Sequence, residues 1–159
     1  MTALVNGLVV FVIVAGAMSA GLTFIFSNTI MPALERQGPD AGAAAMVAIN
    51  EIILNPLFFV IFIASALVAA VAGVLALVDG HPSAALIAAG AALYVVGMFG
   101  ITAGFNVPLN DQLAAVTLGT EEARTLWAHY LDRWTFWNTV RTVAGAAAVL
   151  LLILSRSGG

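Results

Sequence analysis

The sequence predicts an all-α integral membrane protein, a four-helix bundle with a polar cluster at one membrane face. Composition is the first reason. Of 159 residues, 62% are hydrophobic and 8% charged, where a soluble domain averages roughly 25% charged. A water-soluble chain of this length has no core large enough to hide so much apolar surface, so its main solvent is lipid. The second reason is the grouping of apolar residues into four long stretches, each near the ~20 residues that a helix needs to cross the hydrocarbon. The third is that the costly polar side chains gather near Asn50 and between residues 105 and 141.

The first span covers residues 4–29 without a charge, and Gly16, Ala17, Ala20 and Gly21 suit close helix packing. Ala17-Met18-Ser19 has the small residues of a signal-peptidase site. No Lys or Arg precedes it, however, and the apolar run continues to Phe26, so the stretch reads as a retained helix. Residues 31–49 form a connector containing Pro32, Glu35, Arg36, Gly38, Pro39 and Asp40, helical in its second half. The second span takes residues 50–78. A turn at 79–83 follows, broken by Gly80 and Pro82 and with Ser83 placed to cap the third span, 84–105.

Pro108 is expected to interrupt the pattern, because it pushes Val107 away from helical geometry, and residues 109–118 then form a short interfacial turn. Thr120 followed by Glu121 and Glu122 reads as a helix start, with acids at the favourable end of the dipole. A connector helix over 120–133 runs from there into the fourth span, 134–155. Residues 1–159 read as a single four-span domain with no internal repeat.

Several classes of function drop out. There is no cysteine, hence no disulfide or thiolate metal site, and two isolated histidines do not make a metal centre. A net charge of −3 with no basic run argues against nucleic acid as a partner. No phosphate loop, nucleophile elbow or dinucleotide fingerprint occurs. The expected partners are the lipid bilayer and a hydrophobic small molecule.

Four crossings put the connectors 30–50 and 106–133 on the same side of the membrane. Glu51 and Asn55 enter the second helix from that side, four residues apart and therefore on one face. Asn106 leaves the third helix there, and Asn138 and Arg141 enter the fourth. Arg36, Arg124 and Arg133 lie on the connector side against Arg156 on the other, which places the connectors in the cytoplasm of a multi-pass protein of the cell membrane.

Trp134, Asn138 and Arg141 share a helix face, with Arg141 roughly 10 Å deeper than Trp134. An arginine facing lipid at that depth costs roughly 3 kcal/mol, so it should face the bundle and find an anion, Glu51 or Asp111. Two readings follow. In one, Arg141 and Glu51 lock two helices and the asparagines glue them. In the other, the same groups line a pocket for a polar substrate, which the number of converging polar groups favours. Asn106 and Asn110 flank Pro108 at two residues on either side, as a helix cap or as the lining of a cavity. Trp127, Tyr130, Trp134 and Trp137 run along the last helix, either as an interfacial anchor or as a stacking wall. His129, in the polar turns, has the pKa range of a proton acceptor.

The segments FSNTIMPAL, AINEIILNPLFF, FNVPLNDQL and W-x-x-Y-x-x-x-W-x-x-W-N-x-x-R-T resemble the anthrone oxygenase-like family of small four-helix membrane proteins. The resemblance runs through almost the whole chain in order. Its most specific parts are Asn-Val-Pro-Leu-Asn and Trp-Asn-x-x-Arg. It implies oxidation of an anthrone to an anthraquinone by molecular oxygen, with no further cofactor specified. Carried over by motif, the positions at stake are Asn50, Asn55, Asn106, Pro108, Asn110, Trp134, Asn138 and Arg141.

That chemistry needs a base, donors for a developing oxyanion and an apolar slot. The expected roles are Arg141 with Asn110 or Asn138 on the oxyanion, and Trp134 and Trp137 flanking the ring. Asp111, Glu51 or His129 takes the proton, and Asn50, Asn55 and Asn106 complete the binding set. The competing function is a non-enzymatic membrane protein, an accessory subunit or small-molecule binder. Its interior would be filled and its Arg141 fully paired.

Overall fold

The computed structural model describes residues 1–157. Among them all regular structure is helical, and four helices are long and apolar enough to cross a membrane: α1 (Thr2–Arg36), α3 (Pro56–Val78), α4 (Ala84–Ala115) and α5 (Glu121–Leu154). The remaining helix, α2 (Pro39–Ile52), lies across the connector end. The four long helices pack as a bundle in which α5 touches α1, α2 and α4 along its length. At 1.5 Å per residue α1 and α5 are roughly 50 Å long, against ~30 Å of hydrocarbon. Both therefore project beyond the bilayer, and α2 packs between their ends.

Two of the expected helix boundaries change, both at prolines. Residues 50–78 do not form one helix. α2 ends at Ile52 and α3 begins at Pro56, after Asn55, whose side chain accepts from the Phe58 amide at 3.1 Å. A proline has no N–H and fits the first turn of a helix, so Pro56 starts a helix. Glu51 and Asn55 consequently sit on different helices. Pro108 does the opposite of what was expected. α4 continues through it to Ala115, and the preceding turn, Thr102–Asn106, is widened into a π-helical turn. The same arrangement recurs in α1, where the π-helical turn Phe26–Ile30 precedes Pro32. In both cases the proline follows two residues after the wide turn, which accommodates its missing donor and its bulky ring. Further π-helical turns occupy Phe59–Ala64 in α3 and Tyr94–Gly100 in α4. α5 is the single long helix expected, started by the Thr120 side chain accepting from the Ala123 amide.

The core has two parts. Toward the end that carries the turn 79–83, small and β-branched residues interlock, among them Val5, Val9, Ala69, Ala76, Ile87, Ala148 and Leu152. Glycines set the spacing. A Cβ on Gly97 would sit 2.5 Å from Ala144 Cβ, and one on Gly73 would sit 3.0 Å from Ala91 Cβ. At the connector end the core is aromatic and large: Met31, Leu34, Met46, Leu113, Trp127, Tyr130 and Trp134. Between these two parts the helices part and leave a cavity.

Candidate functional site

The cavity has a volume of about 430 Å³ and lies in the connector half of the bundle. That size falls within the roughly 300–1,000 Å³ of small-molecule sites. Its walls are mainly apolar, built from Phe26, Phe58, Phe62, Phe99 and Trp134. The polar groups that reach it come from α1 (Ser19, Thr23), α4 (Thr102, Asn106, Asn110, Asp111), α5 (Asn138, Arg141) and the end of α2 (Asn50, Glu51). All four π-helical turns contribute a wall residue, through Phe26, Phe62, Phe99 and Thr102. Each wide turn displaces one residue from regular helical register and thins the local packing, which is why the space opens at this level.

Arg141 sits at the wall with 7% of its surface exposed. Its Nη1 donates to Thr102 Oγ1 at 2.9 Å and its Nη2 donates to Asn138 Oδ1. Its guanidinium carbon lies 5.5 Å from the Trp134 ring centroid. The enclosed Nε–H has no partner. Among the described residues no carboxylate lies within 4.0 Å of Arg141, both such ion pairs belonging to Arg124. The expected bond to Glu51 is therefore absent. α2 stops at Ile52, so Glu51 stays exposed at the cavity mouth, and Asp111 is exposed on the same rim. A cation buried among apolar groups without a counter-ion is expensive unless donors and a ligand compensate it.

Asn138 acts through Arg141. Its Nδ2 donates to the Thr23 carbonyl at 2.6 Å and to Ser27 Oγ at 2.7 Å, while its Oδ1 receives the guanidinium. Both ends of the amide are occupied, so it aims the arginine from α1. Asn110 anchors the aromatic side. Its Oδ1 accepts from Tyr130 Oη at 2.8 Å and from Trp134 Nε1 at 2.7 Å, which leaves its amide N–H groups for a ligand. Asn50 Nδ2 donates to Tyr130 Oη at 3.5 Å. Asn106, almost wholly buried, donates to the Trp134 carbonyl at 3.1 Å, and its Oδ1 is unpartnered. It bridges α4 to α5 where a helix cap was one expectation.

Three expected site residues lie elsewhere. Asn55 is exposed and spends its side chain on the α3 N-terminus and on the Ile52 and Ile53 carbonyls. His129 is exposed on α5 and does not line the cavity. Trp137 also stays off the cavity wall, stacked on Phe105 with ring centroids 3.8 Å apart. The other aromatics turn inward: Trp127, Tyr130 and Trp134 stack in series at 5.6 and 5.9 Å, all buried. Among the described residues no group of three or more His, Asp or Glu side chains could hold a metal ion.

Sequence reasoning overlooked Thr102, Thr23, Ser19 and the phenylalanine walls. Thr102 sits one turn before Asn106 on the same helix, a spacing that pointed to it. Ser19 and Thr23 carried no signal, since single hydroxyls are common in membrane helices and their partners lie more than 70 residues away. Ser19 belongs to a buried hydroxyl trio with Tyr94 and Ser65, at 3.2 and 2.9 Å.

A family model described as anthrone oxygenase matches residues 55–151. This covers well over half of the chain and includes the Asn-Val-Pro-Leu-Asn and Trp-Asn-x-x-Arg elements. No curated protein and no solved structure matches the chain.

Proposed function

Because the chain belongs to the anthrone oxygenase family, we propose that its cavity binds a hydrophobic aromatic molecule of anthrone or quinol type and that the protein oxidises it with molecular oxygen. The observation that carries the reading is Arg141, a buried cation with no carboxylate partner at the wall of an apolar cavity. A bundle stapled only for stability would have paired that charge and filled that space. The cavity end of the molecule, with Arg36, Arg124 and Arg133 near it, is assigned on the same reading to the cytoplasmic side of the cell membrane.

An anthrone has an acidic CH2 opposite its ketone. Removal of one proton gives an anthrolate, with its charge delocalised onto the ketone oxygen. On this reading that oxygen lies at Arg141 and the Asn110 amide, whose N–H donors act more strongly among apolar walls than in open water. The apolar walls, Trp134 and Phe62 among them, hold the rings. Glu51 or Asp111 at the rim takes the proton. The anthrolate carbon then reduces oxygen and forms a C–O bond, giving a hydroperoxide after protonation. Loss of water breaks the O–O bond and leaves the second ketone. One anthrone and one O2 thus yield one anthraquinone and one water.

The test is turnover of anthrone by protein reconstituted in lipid nanodiscs, followed as anthraquinone formation under 18O2. The wild type should place one labelled oxygen in the quinone. Replacing Arg141 by Leu or Gln should lower turnover about 100-fold or more, with the helical content unchanged. Equal turnover by the variants would discard the oxyanion role, and no acceleration over protein-free discs would discard the oxygenase reading itself.

A further inference from the structure

The cavity-lining residues that are exposed gather mainly in two stretches. At the connector end the cavity rim carries Glu51, Asp111 and Ala114, all exposed. The other stretch lies between α3 and α4, where Phe59, Phe99, Ala103 and Val107 are exposed; Leu54, just before α3, and Leu22, on α1, are exposed lining residues as well. We propose that this second stretch is a lateral window to the bilayer, through which a neutral, flat, lipid-dissolved molecule enters the cavity. The proposal rests on the cavity being the ligand site.

The window follows from how α3 and α4 pack. They are in close contact over residues 65–78 and 84–100, where Gly73 meets Ala91. Above that level the Phe59–Ala64 turn leans on α1 and makes little contact with the Thr102–Asn106 turn. Higher still, α2 packs on Val107–Ala115 and closes the gap again. The result is an opening framed on four sides. At its lower edge Phe62 and Phe99 are in tilted aromatic contact, 6.2 Å between ring centroids, so these two rings form the sill of the gap. Both flanks are π-helical, so neither has a fully regular ladder holding its side chains in register.

Chemistry separates the two stretches. The connector-end rim presents two carboxylates to water, which an apolar molecule avoids and which repel an anion. The window presents only hydrocarbon and aromatic rings. A hydrophobic ligand partitions into the bilayer because burying apolar surface is favourable, so its concentration is highest at the window and lowest at the acidic rim. The polar groups Thr23, Asn138 and Arg141 stand on α1 and α5, across the cavity from α3. An entering molecule therefore crosses the apolar residues Phe59, Phe99, Ala103 and Val107 before it reaches Arg141.

The chain has no cysteine, which makes a thiol test clean. Ser19 lines the cavity and is 1% exposed, so a reagent reaches a Ser19→Cys thiol only through the cavity. In bilayers, N-phenylmaleimide should label Ser19→Cys. Adding Ala103→Trp in the window should slow labelling about tenfold or more, and adding Ala114→Trp at the rim should change it less than about twofold. Both alanines are exposed, and tryptophan is well tolerated near a membrane interface. Labelling blocked by Ala114→Trp instead, or by neither, or no labelling at all, overturns the window. Anthrone turnover of wild type is measured in the same discs. Its absence alongside window-dependent labelling would remove the oxygenase reading and leave the entry route standing.

Discussion

The two halves of the bundle are built from different side chains and behave as different materials. The half near the turn 79–83 is packed by alanine, valine and glycine, with helices close enough that Gly97 leaves no room for a methyl group beside Ala144. The connector half is packed by tryptophan, tyrosine, methionine and phenylalanine around a 430 Å³ cavity. Small residues let helices touch along their backbones, so stability comes from dispersion at short range. Large rings hold helices apart and leave irregular space, which polar groups can enter. The lesson is a division of labour: the dense half holds the register that lets the open half keep a buried cation in place.

That contrast is broken most severely in the dense half. Gly97→Val adds atoms where even a Cβ sits 2.5 Å from Ala144, and should destabilise the protein by about 3 kcal/mol. Thermal unfolding in detergent reads the change, and an unchanged midpoint would mean that α4 and α5 slide apart freely. Next comes Asn110→Leu in the open half. It leaves Tyr130 Oη and Trp134 Nε1 without their shared acceptor, at a cost of about 2 kcal/mol. Tryptophan fluorescence should report a looser ring stack, and a spectrum identical to wild type counts against Asn110 as the anchor.

A smaller effect is expected where the halves meet. Tyr94→Phe removes the hydroxyl shared by Ser19 and Ser65, and a buried bond of this kind in a membrane protein contributes about 0.6 kcal/mol. A loss several times larger would show that the trio, rather than the glycines, sets the spacing. The smallest effect belongs to the exposed pair that ties α2 to α5. Arg124 bonds both Asp40 oxygens, at 3.1 and 3.0 Å, and this holds the Asp40 carboxyl below its ordinary pKa of 3.8. Because the folded-state value is the lower one, the contribution is complete above about pH 4 and is lost as pH falls through the folded value. Asp40→Asn should therefore lower the melting point slightly at neutral pH, and the difference from wild type should shrink as pH falls below about 4. A large neutral-pH loss would make the pair structural.

Much of this was legible in composition and spacing. The crossings were visible because ~20-residue apolar runs have no other solvent than lipid. Arg141 and Asn138 were visible because polar groups three residues apart on a membrane helix must face inward together. The prolines misled. Pro108 looked like a breaker and is carried within α4, while Pro56, which the expected second span ran straight through, begins a helix. A proline's effect depends on whether the turn before it can widen, and neighbouring helices decide that. Asn55, His129 and Trp137 looked functional by position, yet each found a local use or solvent on its own stretch of chain.

By itself the sequence determined four membrane helices, their parity and a polar level on the connector side, since each follows from transfer free energies that act residue by residue. Tertiary structure alone decided that Arg141 has no carboxylate beside it, that Ser19, Thr23 and Thr102 join it at the cavity, and that α3 and α4 part above Ser65. Those outcomes depend on which side chains from distant helices meet. The meeting is set by packing at the glycines and by the wide turns, whose effect no single stretch of residues contains.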